Sequence, residues 1–282
     1  MNLFLFQLRG ELRKMFARKR TWIGFGAFLV LEIVLLIVLH LDGPMSFWKR
    51  IIERQGQMFE FYFSAPTIGY IILGLSTMLL GGIYISLVAG DIVAKEAEDG
   101  TLRMVLGRPI SRLRLLLLKY ASCLIYNVLF VLFMGTTCYL LGACLRGFSG
   151  GFFAFAPEQG VVSFFPAAQG LGRYALAVVF LSLTLCTVSS IGFFFSCLPI
   201  KPAAATILTL SYLFIDMVLV KGQFMEDYEH LLVTSYIDTW LRTCLTPIPW
   251  MRIVRDLVVL AGVNSTFFIL GWAVFQSRDF KT

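Results

Sequence analysis

Six apolar runs, at about 21–41, 65–89, 113–145, 174–198, 203–220 and 253–275, decide what this chain can fold into. A helix rises about 1.5 Å per residue, so about 20 apolar residues cross a hydrocarbon layer of ~30 Å. Inside such a layer no water satisfies an exposed peptide group, so each run must bond within itself as a helix. The chain is 58% hydrophobic and only 15% charged, with a mean hydropathy of +0.81, more apolar surface than a soluble domain of this size can cover. The expected fold is an all-α polytopic membrane protein, a single transmembrane domain over 1–282 that leaves no room for a soluble catalytic domain.

Charge sets the orientation. The segments 1–20, 91–120, Lys201 and the tail fall on one side and carry 15 of the 24 lysines and arginines, and the other side carries 9. The richer side is expected in the cytoplasm, with both termini, in a bacterial inner or plasma membrane. The same distribution removes nucleic acid as a partner despite the net charge of +7, because the basic residues flank spans.

Residues 1–20 read as an amphipathic interfacial helix. Leu5, Leu8, Leu12, Met15 and Phe16 recur at helical spacing, while Arg9, Arg13, Lys14, Lys19 and Arg20 lie mostly off that stripe, suited to the lipid interface. No small-residue cleavage site follows, so the segment is expected to stay in place rather than act as a removable signal. Residues 42–64 form a mixed, charged external segment with some helix. Residues 146–171, rich in glycine, phenylalanine and proline, are expected to skim the outer interface, and 221–253 to form short re-entrant or interfacial helices. Six cysteines without a CxxC pair read as small apolar side chains, and two distant histidines, His40 and His230, give no metal site.

One polar island interrupts this pattern. Residues 90–112 hold eight charges (Asp91, Lys95, Glu96, Glu98, Asp99, Arg103, Arg108 and Arg112) between two long apolar runs, so a loop at the membrane surface is expected over 91–112. Thr101 can cap a short helix over 102–106 that Gly107 ends, and Ser111 can cap the third span. Leu102, Val105 and Leu106 then make an apolar knob with a charged rim, a form suited to protein docking as well as to a plain solvated loop.

Glu96-Ala97-Glu98-Asp99-Gly100-Thr101-Leu102, followed by Arg108-Pro109-Ile110-Ser111-Arg112 and then Lys119, resembles the ExExGTL…P-[IV]-SR…K signature of type-2 ABC transporter permeases. The motif covers about 30 residues, and the six spans, amphipathic start and terminal Arg278-Asp279 extend the likeness to the whole chain. The resemblance implies that the loop is a coupling helix docking on a separate cytoplasmic ABC ATPase, present in two copies. The docking residues would be Asp91, Glu96, Glu98, Asp99, Gly100, Thr101, Leu102, Arg103, Leu106, Pro109 and Arg112. With no GxxxxGK[ST] loop in the chain, ATP and Mg would be bound by that partner, and this chain would carry no cofactor and no catalytic residue of its own. A second copy, or a homologous permease, would complete the pathway.

Glu32 and Asp216 fall inside spans, where ionisable groups must face protein or water. They are candidates for a pathway or an interface, with a structural hydrogen bond as the plainer role. The leading expectation is an exporter permease subunit contacting membrane lipid. A second is the same assembly driving an extracytoplasmic protein partner through 42–64 and 221–253. An ion-coupled secondary transporter using Glu32 and Asp216 leaves the loop motif unexplained. An intramembrane enzyme finds no HExxH or GxSxG motif to support it.

Overall fold

The computed structural model describes residues 3–107, 110–157, 160–220, 222, 228 and 230–278, apart from the side chains of Arg103 and Leu106. Helix α1 (Leu3–Ala17) meets α2 (Lys19–Leu39) at Arg18, whose extended backbone breaks the axis, and Thr21 Oγ1 donates to the Met15 carbonyl at 2.6 Å across the elbow. After α3 (Asp42–Arg54) and α4 (Phe59–Tyr62), the second span runs over Ala65–Glu98 as α5 (Ala65–Ser76), one π turn (Thr77–Gly81) and α6 (Gly82–Glu98). A short α7 (Thr101–Leu106) leads to α8 (Arg112–Arg146). Strands β1 (Phe152–Ala156) and β2 (Val161–Phe165) form a hairpin before α9 (Ala167–Cys197) and α10 (Pro202–Val220). Then come α11 (Thr234–Ile237), a 3-10 turn (Asp238–Cys244) and α12 (Trp250–Ser277).

Among the described residues six helical stretches are long and apolar enough to cross a membrane, as the hydropathy pattern requires: Lys19–Leu39, Ala65–Glu98, Arg112–Arg146, Ala167–Cys197, Pro202–Val220 and Trp250–Ser277. The protein is an all-α, multi-pass membrane protein, and the large side chains it exposes are those of a lipid-facing wall, such as Trp22, Ile23, Val30, Ile37, Ile207, Phe214 and Val258. α9 is the central post, 78% buried over its apolar window against 11% for α12. Helices approach closely where a side chain is missing. A Cβ on Gly142 of α8 would lie 2.7 Å from the Ala65 carbonyl oxygen, and one on Gly90 of α6 would lie 2.8 Å from Thr206 Oγ1 of α10.

Three expectations need correction. The polar island is not a loop throughout, because the second span stays helical to Glu98 and the turn comes only at Gly100, whose φ of +73° suits glycine. The stretch 146–171 carries regular structure rather than only skimming the outer interface. Phe152-Phe153-Ala154-Phe155-Ala156 pairs antiparallel with Val161–Phe165, since β-branched and aromatic residues favour strand over helix, and half of the hairpin is sealed (Phe152, Phe153, Ala154, Val161 and Phe165) while Val162 stays exposed. The fourth span begins at Ala167 rather than near 174, and the sixth at Trp250 rather than 253.

The hairpin belongs to a cap at one end of the bundle. Ser64 Oγ donates to the Gly151 carbonyl, Thr67 Oγ1 accepts from the Phe153 amide at 2.8 Å, and Arg146 pairs with Glu60 at 2.6 Å. Arg173 donates to the Thr243 carbonyl at 3.0 Å while lying over the Phe165 ring. α1, α7, residues 198–201 and the end of α12 gather at the opposite end.

Candidate functional site

That opposite end is held together by charge. Lys119 sits two turns into α8, only 1% exposed, and its ammonium lies 2.6 Å from Glu96 of α6 and 3.2 Å from Glu11 of α1. Lys14 also holds Glu11 at 2.6 Å, and Arg18 stands 3.8 Å from Glu96. Burial alone would push the Glu11 carboxyl up. Lys119 foremost, with Lys14, outweighs burial and holds it below the usual carboxylate range. Beside this cluster Arg20 Nη1 donates to Asp91 Oδ2 at 2.9 Å. Each carboxylate is therefore matched to a cation that arrives on a different helix, which is the condition for tolerating charge in a low-dielectric setting.

The remaining helices are bolted to the same end by backbone capping. Arg112 Nη1 donates to the carbonyls of Gln276 (2.8 Å) and Arg278 (2.9 Å), groups that the end of α12 leaves without intrahelical partners. Arg278 reaches the Leu198 carbonyl at 3.1 Å, and Ser196 Oγ accepts from the amides of Val93 and Ala94. Ser111 caps α8 as expected, accepting from the Arg114 amide.

α7 stands out from this base. Leu102 is sealed beneath it, Val105 is half-buried, and Thr101 Oγ1 donates to the Glu96 carbonyl at 3.2 Å. The apolar knob thus points inward and anchors the helix. The face left outside is Thr101 and Met104 (71% exposed), rimmed by Glu98 and Asp99, which share Lys95 at 2.8 and 3.1 Å.

The expected docking residues divide accordingly. Glu98, Asp99 and Thr101 lie at the exposed edge, with Gly100 at the turn. Asp91, Glu96 and Leu102 are buried in contacts within the chain, and Arg112 is engaged with α12. Pro109 and the side chains of Arg103 and Leu106 lie outside the described residues. Sequence reasoning passed over Glu11, Arg18 and Met104, placed Arg20 only on the basic side of the first helix, and treated Lys119 only as part of a motif. Two signals were readable: Glu11 is the one acid in residues 1–20, and Lys119 is a lone lysine after four leucines.

The two acids within spans differ. Asp216 accepts from the amides of Val233 (3.3 Å) and Thr234 (2.6 Å) and from the Thr234 hydroxyl (2.6 Å), so it is the cap of α11 and its lone pairs are taken up. Glu32 is 0% exposed and neither carboxyl oxygen has a hydrogen-bond partner among the described residues. Its neighbour Thr137 directs its hydroxyl to the carbonyls of Phe133 and Met134.

A family model described as a protein of unknown function (DUF2705) matches residues 33–281. The uncharacterized protein YhcI of Bacillus subtilis (strain 168) is 26% identical over 210 residues, covering 71% of this chain and 65% of that relative. The match therefore spans just under two thirds of YhcI.

Proposed function

The chain belongs to the DUF2705 family, and we propose that it is the permease subunit of a type-2 ABC exporter. It would sit in a bacterial inner or plasma membrane with both termini in the cytoplasm and work beside a second permease. The reading rests on one observation: α7 presents Thr101 and Met104 outward between the second and third spans, while its inner side is fixed to the end of the second. A load on that face reaches α6 through Leu102 and the Thr101–Glu96 hydrogen bond, and α8 through Glu96 and Lys119. The motif running from Glu96 to Lys119 supports the same assignment. ATP and Mg would be held by two ATPase subunits acting in trans, and their closure would drive alternating access.

The test is copurification in mild detergent. The wild type should bring down an ATPase subunit identified by mass spectrometry and ATP hydrolysis. Met104→Glu and the pair Glu98→Lys, Asp99→Lys should lose it at unchanged thermal stability, because all three side chains are exposed. A folded wild type that retains no ATPase would end the reading.

A second reading, in which the assembly works on an extracytoplasmic protein partner, is favoured by the folded cap at the other end. Exposed there are Phe61 of α4, Met58 just before it, and Phe148 between α8 and the hairpin. Cross-linking from these positions to a specific protein would distinguish it from solute export.

A further inference from the structure

The elbow between α1 and α2 carries a notch lined by Arg18, Arg20, Thr21, Tyr84, Leu87 and Asp91. We propose that this notch binds the phosphate-bearing headgroup of an anionic phospholipid. Three independent features place such a ligand there.

Depth is the first. α2 begins at Lys19 and is long enough to cross the hydrocarbon layer, so Arg18–Thr21 lie at headgroup level. Trp22 follows directly, 64% exposed, with its indole N–H given to the Phe16 carbonyl at 2.9 Å, the placement of an interfacial anchor.

Charge is the second. Arg20 gives one N–H to Asp91 and keeps its guanidinium largely exposed, with further donors facing outward. Arg18 is held only loosely, 3.8 Å from Glu96, and Lys19 beside it is exposed. Asp91 orients Arg20 but does not fill its fork, so the mouth offers donors to a phosphate.

The third is a path for the acyl chains. Ile83 and Leu87 are exposed one turn apart on α6, on the face that carries Asp91, and lead from the notch toward the membrane interior. A soluble phosphate would make no use of that track.

The experiment is native mass spectrometry of the full chain released from nanodiscs of phosphatidylglycerol, of phosphatidylcholine, or of the two mixed. One phosphatidylglycerol should be retained per chain and phosphatidylcholine should not. Inorganic phosphate at millimolar concentration should leave the lipid in place. Arg18→Gln with Arg20→Gln should lower retention roughly fivefold for each charge removed, whereas Arg9→Gln with Arg13→Gln, on the exposed side of α1, should change it little. Since removing Arg20 also unpairs Asp91, a second variant keeps every charge: Leu87→Trp narrows the track and should lower retention as well. Equal loss from the Arg9 and Arg13 pair, full retention in Leu87→Trp, or displacement by inorganic phosphate would each overturn the assignment.

Discussion

Replacing Lys119 by Met removes one cation and almost no volume, and should be the most damaging single change at the charged end. Lys119 is the contact shared by Glu11 and Glu96. Breaking a buried ion pair from one side typically costs about 3–5 kcal/mol. The residual contacts of Lys14 with Glu11 and of Arg18 with Glu96 soften that figure. Protonation sets a ceiling, since neutralising a carboxylate of ordinary pKa at pH 7 costs roughly 4 kcal/mol. We expect a loss of about 3 kcal/mol at pH 7.

The sign of the pH dependence follows from Glu11. In the wild type Lys119 and Lys14 hold its carboxyl low, so its contribution is complete above the unfolded value and fades as pH falls through the lower, folded value. Without Lys119 burial is opposed by Lys14 alone, so the carboxyl rises and Glu11 gives up part of its contribution at neutral pH. The gap between variant and wild type should therefore be widest at pH 7 and close toward pH 4. Thermal unfolding in nanodiscs across that range reads it, together with Lys119→Met, Glu96→Gln to recover part of the loss. A deficit under about 1 kcal/mol, or one that does not shrink in acid, would refute the account of Lys119 as the joint of three helices.

Three further outcomes are expected. Gly142→Ala drives a Cβ against the Ala65 backbone and should lower stability by about 1–3 kcal/mol in the same assay, whereas Gly26→Ala, with open space around it, should stay within about 0.5 kcal/mol. Asp216→Ala should uncap α11, speeding hydrogen exchange at Val233 and Thr234 by the equivalent of about 2 kcal/mol. Glu32→Leu should raise the unfolding temperature, because it replaces a buried carboxyl that finds no well-formed hydrogen bond among the described residues, only Thr137 and Cys138 nearby, by apolar contact. If Glu32 also lines a pathway, Glu32→Gln should abolish transport while the assembly survives.

The spans were legible because the bilayer allows one solution. An apolar run long enough to cross must be a helix, and each of the six runs falls on a helix whose ends hydropathy did not always mark, with Gly142 and Gly90 marking close approaches that a helix of larger residues could not make. The hairpin was not legible. Phe152–Ala156 and Val161–Phe165 are apolar on nearly every position, so they lack the alternation that signals a strand with one wet face, and only the folded cap reveals that Phe152, Phe153 and Ala154 are sealed in succession. The charged end was half legible. The motif located α7, but periodicity alone does not say which side of a six-residue helix faces the core, and Leu102 turned out to anchor it. The pairings of Lys119 with Glu11 and of Arg20 with Asp91 join residues 108 and 71 positions apart, a distance over which spacing along the chain carries no information.

Why this end is charged at all is a question of registry. An apolar contact among α1, α6 and α8 could be equally stable, yet it would let the helices slide. Ion pairs fix both depth and rotation: Lys119 meets Glu96 and Glu11 only when all three helices are in register. Arg112, about 10 Å nearer the surface on the same helix, adds the end of α12. A displacement of α7 is then shared by four helices rather than absorbed by the turns beside it. On the proposed reading this is what a coupling element needs, since an ATPase pushing on a small exposed face can reorient spans only if that face and its supports move as one body. The same reasoning separates the two sets of residues: Glu98, Asp99, Thr101 and Met104 would govern who binds, and Glu11, Glu96, Arg112 and Lys119 would govern what binding moves.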